Sequence, residues 1–397
     1  MAPLKFILPT LSWDDHFRVE NADDVLTPAL LVYPAAIEAN IGAIVKALDD
    51  HADRWRAHVK TAKLAFTMRQ LVARGVTHFK CATTLELLVA CESGARDVLL
   101  AYPVVGANAR RVREIANQFM AAHISILVEN EEQARQWIGS RVGIFLDLNP
   151  GMNRTGIEQE HRDEIVALVR AIQKSGLQFR GLHYYDGHLG GLEESERTVT
   201  AHAGYEKLLD IVYALEQSDA PVEELVTAGT PTFPASLSFP GFRAKRFVHR
   251  ISPGTVVYND ATSLAQLPAS LGLQPAVVVM TRVVSHPHAG IITCDAGHKS
   301  VSADAGVPTC VVVGHPELTP LGPSEEHLPM AVAESSLPPK VGDILYLLPR
   351  HVCPTVNNFD AALLVRTNKV EALEKVSARG RETPLAIKHS QAATVSP

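Results

Sequence analysis

A lysine lies where a short extended segment gives way to a turn. In residues 56–61 (RAHVKT) the side chains alternate, so His58 and Lys60 face one way and Val59 the other. Lysine forms imines with carbonyl compounds, and partial burial frees its amine to attack. Lys60 is therefore a candidate nucleophile. The alternative is that Lys60 and the nearby Lys63 are two solvated cations in a turn.

Two further polar segments follow extended runs. Residues 147–156 (DLNPGMNRTG) make a tight loop carrying Arg154, which could bind an anion or a phenolate oxygen. Residues 183–188 (HYYDGH), which include Tyr185, hold five ring or acid groups in six positions, too polar for an ordinary core. The alternatives are an exposed loop arginine at Arg154 and a buried core histidine at His183.

Two small turns late in the first two-thirds of the chain have the composition of a phosphate site. They are residues 227–232 (TAGTPT) and 252–255 (SPGT), and they supply Gly229, Thr230, Gly254 and Thr255. Backbone N–H groups in such turns make a nest for phosphate. Each turn alone is common, but the pair together predicts a ligand that carries a phosphate.

A possible metal site lies in residues 347–355 (LLPRHVCPT). In an extended segment His351 and Cys353 point the same way, which suits an imidazole and a thiolate on one zinc ion. A structural zinc site needs four protein ligands. With two, the remaining positions would be filled by water or substrate, as around a catalytic ion. The alternative is a buried histidine and an inert cysteine.

These segments lie in an alternation of short apolar runs and amphipathic stretches. About eight βα steps favour an α/β fold with a parallel (β/α)8 TIM-type barrel, whose strand C-termini carry the reactive groups. No GxGxxG motif follows the first strand, which removes the main support for a dinucleotide fold. The predicted strands are residues 29–33, 56–60, 77–81, 98–102, 123–128, 142–148, 179–185 and 223–227.

After about residue 260 the pattern changes to a second, mostly antiparallel β domain. Its predicted strands are residues 275–284, 289–294, 309–313, 344–348 and 361–366. Residues 315–340 contain many prolines and predict a loop with little regular structure. Residues 378–397 lack a packable period and predict a frayed tail.

Composition narrows the class of partner. The 37 basic and 43 acidic side chains give a net charge of -6 without long blocks of either sign, which excludes nucleic acid and membrane surfaces as expected partners. The five cysteines form no CxxC pair, and the N-terminus has no signal-peptide pattern, so we expect a cytoplasmic protein that binds small molecules.

Six segments, in this order, resemble the D-threonine aldolase and D-serine dehydratase family of pyridoxal-phosphate (PLP) enzymes. The likeness covers about residues 25 to 370 and is most specific at HVKT and HVC. It implies an alanine-racemase-like fold and usually a homodimer. The segments are residues 58–63 (HVKTAK), 153–156 (NRTG), 229–232 (GTPT), 252–255 (SPGT), 324–327 (SEEH) and 351–355 (HVCPT).

The resemblance implies a role for each candidate residue. Lys60 would carry PLP as an imine beside His58, Arg154 would lie near the phenolic oxygen, and Tyr185 near the ring nitrogen. His351 and Cys353 would hold a divalent metal, either zinc or the harder manganese or magnesium. The phosphate would be held by Gly229, Thr230, Gly254 and Thr255. The implied domains are a PLP-binding barrel over residues 27–258 and a metal-bearing β domain over residues 1–26 and 259–377.

This sequence departs from the family pattern at three positions. Ala62 replaces a frequent histidine, and Leu328 replaces the glycine usual after the Glu326-His327 pair. Ser252 stands where some relatives carry arginine, and a serine changes how far the pyridine ring can act as an electron sink.

The implied substrate is a D-β-hydroxy amino acid. Retro-aldol cleavage to glycine and an aldehyde is the leading prediction, supported by residues 80–83 (KCAT) and 99–103 (LLAYP), which resemble the D-threonine aldolase branch. The alternative is a dehydratase of D-serine or D-3-hydroxyaspartate that forms a keto acid and ammonia. The soft Cys353 ligand favours zinc and this alternative, because aldolases of this type often pair histidine with aspartate. An amino-acid racemase and a non-catalytic PLP-binding protein are weaker alternatives.

Replacing Lys60 with alanine should abolish the visible absorbance of covalently bound PLP, because no other residue is predicted to form the imine. The absorbance spectra of the purified wild-type and Lys60→Ala proteins check this. An unchanged spectrum would mean that the lysine is misassigned.

Overall fold

The structure is a computed structural model that describes residues 9, 12, 14–243, 246–334 and 336–384. None of the helices in these ranges is long and apolar enough to cross a membrane. The strands are β1 Ala29–Val32, β2 Arg56–His58, β3 His78–Cys81, β4 Asp97–Leu100, β5 His123–Val128, β6 Gly143–Asn149, β7 Ile157–Glu158, β8 Phe179–Tyr184, β9 Glu224–Thr227, β10 Val248–Ile251, β11 Val277–His288, β12 Ile291–Cys294, β13 Cys310–Val312, β14 Leu318–Pro320, β15 Leu328–Val332, β16 Ile344–Pro349, β17 Ala361–Arg366 and β18 Lys369–Lys375. The helices are α1 Pro34–Ala47, α2 Ala65–Ala73, α3 Thr84–Glu92, α4 Gly106–Gln118, α5 Glu131–Arg135, α6 Arg162–Lys174, α7 Glu194–Glu216, α8 Phe233–Ser238, α9 Ala261–Gln266 and α10 Val352–Asn357.

The predicted parallel barrel is confirmed. Its eight strands pair in the order β10-β9-β8-β6-β5-β4-β3-β2, and the short β7 pairs with β6 at the side. A parallel bridge between Trp55 and Ile251 joins the first strand to the last and nearly closes the sheet. Helices α2 to α8 connect successive strands, so the C-terminal ends of all eight strands lie at one mouth.

The second sheet is the predicted mostly antiparallel domain. Its order is β14-β15-β12-β11-β1-β17-β18, and β16 pairs with both β11 and β13. The prediction that residues 29–33 form the first barrel strand is wrong, because β1 pairs antiparallel with β11 and parallel with β17 in this second sheet. A short strand that is buried along its whole length suits the interior of either sheet, so its composition does not decide between them.

The eighth barrel strand is β10, which the sequence prediction omitted. Its residues Val248–Ile251 include His249 and Arg250, so the segment does not read as an apolar run. Both polar side chains are buried and bonded inside the barrel wall: Arg250 Nη1 lies 2.5 Å from Glu224 Oε2, and His249 Nε2 lies 2.8 Å from Thr227 Oγ1. Tertiary partners therefore make this polar strand possible.

Two other predictions need correction. Residues 315–340 are not an unstructured loop, because they contain β14 and β15, which pair with each other and extend the second sheet through β12. The predicted tail does not begin at residue 378: Ala378 is fully buried, and its N–H donates to the Lys63 carbonyl at 2.8 Å. Residues 385–397 lie outside the described residues, as does most of the N-terminal segment judged to lack a signal peptide.

A buried ion-pair network closes the end of the barrel opposite the mouth. Arg56 bonds both oxygens of Glu224, at 2.5 and 2.7 Å, and Asp97 at 2.8 Å. Arg180 also reaches Asp97 at 2.8 Å. Above this network is an apolar layer of Leu99, Leu127, Phe145 and Val226. Side chains thus fill the base of the barrel, which leaves the mouth as the end where a ligand could bind.

Candidate active site

The site is built on the seam where the last barrel strand returns to the first. Trp55 Nε1 donates to the Pro253 carbonyl at 2.9 Å, and Ser252 Oγ donates to the Arg56 carbonyl at 2.8 Å. One step further, Gly254 packs so closely on the His58 carbonyl that a Cβ would overlap it. The seam therefore brings the turn after β10 beside the turn after β2.

Lys60 lies in the turn after β2 and not in the strand, because β2 ends at His58, two residues earlier than predicted. The Lys60 side chain is half-buried. Its backbone N–H faces His58 Nδ1 at 3.4 Å. Burial, together with the charges of Lys80 and Lys60, holds the pKa of His58 well below its usual range. His58 is therefore a neutral ring beside the lysine.

The two turns predicted to bind phosphate meet each other. The N–H of Thr255 donates to Thr230 Oγ1 at 3.2 Å. Gly229 lies under the Tyr185 ring, where a Cβ would be 2.8 Å from Cε2. All four predicted phosphate residues thus lie between Tyr185 and His58, although their role stays a prediction.

Arg154 and Tyr185 are in contact, as a shared site requires. The guanidinium carbon of Arg154 lies 4.9 Å from the Tyr185 ring centroid, in cation–π geometry. Arg154 is exposed and Tyr185 half-buried, so both border the open end of the barrel. The Tyr185 hydroxyl has no hydrogen bond to another described residue, and its role near the ring nitrogen stays a prediction.

A buried chain of polar groups lies beneath Tyr185. The sequence analysis singled out the segments of two of its members, Asp147 and His183, but did not place the third, Lys80, in the site. Lys80 Nζ lies 3.4 Å from His183 Nε2, and His183 Nδ1 lies 2.7 Å from Asp147 Oδ1. Burial, reinforced by the charge of Lys60, lowers the pKa of Lys80 to about 7. The available signal was alternation in β3, which turns Lys80 toward the barrel interior as His58 is turned in β2.

His351 and Cys353 reach the seam from the β domain, but not along an extended strand as predicted. His351 caps α10 with extended backbone, and Cys353 lies in the first turn of that helix. The Cys353 sulfur is 3.0 Å from Thr61 Oγ1 and 3.8 Å from Thr255 Oγ1. The cysteine therefore touches the residue after Lys60 and one of the predicted phosphate residues.

His351 and Cys353 form an interacting pair. Burial alone would disfavour both charged forms, yet their mutual hydrogen bond and opposite charges raise the pKa of His351 to about 9 and lower the pKa of Cys353. Asp304 Oδ2 lies 2.7 Å from His351 Nδ1. Within the described ranges, no third histidine, cysteine or carboxylate joins them to make a metal-binding group.

The segment that carries Glu326 and His327 stays outside this site. Glu326 pairs with Lys299 at 3.0 Å, and His327 Nδ1 lies 3.4 Å from Ser324 Oγ. Both are exposed. The structure gives these two residues no described contact with Lys60 or His351.

Two family models match the chain. The alanine racemase N-terminal domain matches residues 32–261, and a putative serine dehydratase domain matches residues 276–365. The chain belongs to the alanine-racemase-like family of D-threonine aldolases and D-serine dehydratases. The first match spans the barrel and the second spans most of the second sheet, so both halves of the site fall within family models.

The curated relatives are similar over nearly their whole length. A D-threonine aldolase of Arthrobacter sp is 27% identical over 366 residues, covering 89% of this chain and 93% of the relative. A 3-hydroxy-D-aspartate aldolase of Paracoccus denitrificans (strain Pd 1222) is 26% identical over 379 residues, covering 91% and 94%.

Solved structures share the fold. D-threonine aldolase from Filomicrobium marinum superposes with a TM-score of 0.81 at 27% identity, covering 90% of this chain and 96% of that one. D-threo-3-hydroxyaspartate dehydratase from Delftia sp. HT23 gives a TM-score of 0.76 at 20% identity, covering 90% and 98%.

A methyl group added at Gly254 should disrupt the seam. The Gly254→Ala Cβ would overlap the His58 carbonyl, so we expect a loss of about 1–3 kcal/mol in folding stability and weaker retention of PLP. Thermal melting and titration with PLP check this. Gly42→Ala, in α1 with nothing within 4 Å, is the matched control and should not lower stability. A Gly254→Ala protein that matches wild type in both measurements would contradict the assigned packing.

Proposed function

We propose that this protein is a PLP-dependent, metal-assisted lyase of D-β-hydroxy amino acids, of the D-threonine aldolase type. One observation carries the proposal: Cys353 of the β domain lies 3.0 Å from Thr61, the neighbour of Lys60, and 3.8 Å from Thr255. This contact supports one site made of the lysine, the proposed phosphate turn and the proposed pair of metal ligands. The full-length similarity to named aldolases supports the same function.

The residues present fit PLP. A lysine on the barrel mouth suits an aldehyde, and the hydroxyls of Thr230 and Thr255, with the close-packed Gly254, suit a phosphate. Arg154, in front of Tyr185, suits a phenolate oxygen. Bound PLP supplies an electron sink for negative charge that develops at the Cα atom of an amino acid. The protein would supply the amine that binds the aldehyde, the groups that hold the phosphate and the orientation of the cofactor ring.

His351 and Cys353 fit a divalent metal with open coordination positions. An imidazole nitrogen and a thiolate sulfur are donors that favour zinc over harder ions. Asp304 accepts from His351 Nδ1–H, which fixes the tautomer and leaves Nε2 available as a ligand. Thr61 sits against the Cys353 sulfur. This site would hold the β-hydroxyl of the substrate beside Lys60.

The choice of bond depends on which proton the protein removes. Loss of the β-hydroxyl proton leads to Cα–Cβ cleavage, with glycine and an aldehyde as products. A hydroxyl held by His351 and Cys353 through a metal would lose its proton more readily, because a metal lowers the pKa of a bound oxygen acid. The two curated relatives described above are named as aldolases, and we therefore favour cleavage of the Cα–Cβ bond.

A dehydratase is the second candidate. Two features favour it: the soft thiol of Cys353, if that residue is a metal ligand as proposed, and the match of residues 276–365 to the serine dehydratase model. In this course Lys60 removes the Cα proton and the β-hydroxyl leaves, so that D-serine or D-3-hydroxyaspartate gives a keto acid and ammonia. A racemase or a PLP carrier would not need a metal that binds a substrate hydroxyl, so the proposed ligands His351 and Cys353 count against both. The homodimer and the cytoplasmic location stay predictions.

Product analysis tests the function. The purified holoprotein should convert D-threonine to glycine and acetaldehyde, and a chelator should suppress the reaction until metal is restored. L-threonine is the control and should not react. Keto acid and ammonia from D-serine, without glycine from D-threonine, would favour the dehydratase. No product from any D-β-hydroxy amino acid would overturn both candidates.

Removing the Asp304 carboxylate should weaken metal binding without unfolding the protein. Asp304 is exposed and fixes the orientation of His351, so Asp304→Asn should raise the zinc dissociation constant roughly 10- to 100-fold. Competition with a chromogenic chelator measures this constant. Glu317→Gln is the matched control, since Glu317 bonds His315 Nδ1 at 2.9 Å in the same way, away from the seam. Equal zinc affinity in wild type and Asp304→Asn would contradict the role.

A further inference from the structure

Lys80 is a buried lysine without a carboxylate partner. It is 2% exposed, and the one hydrogen bond of its side chain among the described residues is to His183 Nε2, at 3.4 Å. Lys63 is the contrast: it is 6% exposed and is paired with Glu86 at 2.7 Å and with the Ala378 carbonyl at 3.3 Å. Buried lysines are rarely left unpaired, because the charged form then loses its hydration without compensation.

Asp147, the carboxylate whose charge acts most strongly on Lys80, is engaged elsewhere. Its Oδ1 accepts from His183 Nδ1–H at 2.7 Å, and its Oδ2 accepts from Thr155 Oγ1 at 2.7 Å. With the proton on Nδ1, His183 Nε2 is an acceptor, so Lys80 is the donor in their contact. An ammonium has three N–H donors, and the described structure satisfies only one of those of Lys80.

The surroundings of Lys80 are short of negative charge. Lys80 Nζ and the Arg154 guanidinium lie 5.7 and 4.9 Å from the Tyr185 ring centroid. Burial is the main cause that lowers the pKa of Lys80, and the positive charges of Lys60 and Arg154 lower it further. The negative charges of Asp147 and Asp186 act in the opposite direction. Asp186 is itself occupied by the hydroxyls of Tyr205 and Thr232. An anion placed here would be stabilised by several cations.

We propose that Lys80 is an anion-binding residue of this site, whose ammonium donates to a negatively charged oxygen of the bound ligand. That oxygen belongs either to the cofactor's phenolate or to the substrate's carboxylate. Lys80 thus differs from Lys60, which is proposed to bind covalently. The inference rests on the proposed function, because the ligand is PLP with its amino acid.

Two titrations of the holoprotein distinguish the two oxygens. In the first, the visible absorbance is followed against pH without substrate. If Lys80 binds the phenolate, Lys80→Met should raise the midpoint by about one pH unit, since losing a cation disfavours the anion. In the second, the spectral change on adding D-alanine, which lacks a β-hydroxyl, gives a dissociation constant. If Lys80 binds the carboxylate, Lys80→Met should raise that constant roughly 10- to 100-fold.

Three further variants make the result specific. Lys80→Arg keeps the charge and should restore at least part of the affected value. Lys63→Met removes a buried lysine that has its own carboxylate, so it should lower thermal stability and leave both titrations as in wild type. If Lys80→Met does not fold, Lys80→Gln, which keeps N–H donors without the charge, is tested in its place.

The outcomes separate this inference from the proposed function. If wild type binds PLP and the variant shows wild-type values in both titrations, Lys80 binds no ligand anion and the inference is overturned. If wild type itself gives no covalent PLP spectrum, the proposed function fails first and the inference fails with it. A change in either value in Lys80→Met that Lys80→Arg at least partly reverses supports the inference. A changed pH midpoint identifies the phenolate oxygen, and a changed dissociation constant for D-alanine identifies the carboxylate.

Discussion

Closure of the parallel barrel is the constraint on which the site depends. The first and last strands must pair, and they do so through the Trp55 and Ile251 bridge, with Trp55 bonding Pro253 across 198 residues of sequence. Closure leaves no room for a side chain at Gly254, which rests on the His58 carbonyl. Because of this seam, the turn after the last strand lies beside Lys60. A barrel left open here would separate the amine from both predicted phosphate turns.

Buried charged groups are paired at the base of the barrel, whereas one at the mouth is left unpaired. At the base, burial alone would raise the pKa of Asp97, but the charges of Arg56 and Arg180 hold it below its usual range. Removing one member of such a network leaves an uncompensated charge, so the base is fixed as a unit. At the mouth, Lys80 has no ion partner among the described residues and its pKa falls instead. Buried charge is therefore neutralised at the base and left unmatched at the mouth, where a ligand is expected.

The β domain completes the site from the other side of the seam. A strand ending at Pro349 turns into α10, and this turn directs His351 toward Asp304 and Cys353 toward Thr61. Neither domain alone brings these groups together. The candidate active site therefore requires the packing of the two domains, and Ala378, at the end of the β domain, adds a further contact between them by bonding to Lys63 of the barrel.

Much of this could be predicted from the sequence because the signals are local. The pattern of short apolar runs predicted seven of the eight barrel strands, and alternation predicted the inward face of His58. Short motifs singled out Lys60, the two glycine-threonine turns, and His351 with Cys353, whose roles stay predictions. The family resemblance supplied PLP and the class of substrate. These features depend on neighbouring residues and on chemistry carried by single side chains.

Only the tertiary structure decided which sheet each strand joins and which buried charge is paired. The apolar β1 lies in the second sheet while the polar β10 closes the barrel, because strand pairing is set by partners far along the chain. Likewise, Lys63 and Lys80 look alike in sequence, yet one faces Glu86 and the other does not face any described carboxylate at bonding distance. A side chain's type is written in the sequence, but whether its charge is matched depends on residues that meet only in the fold.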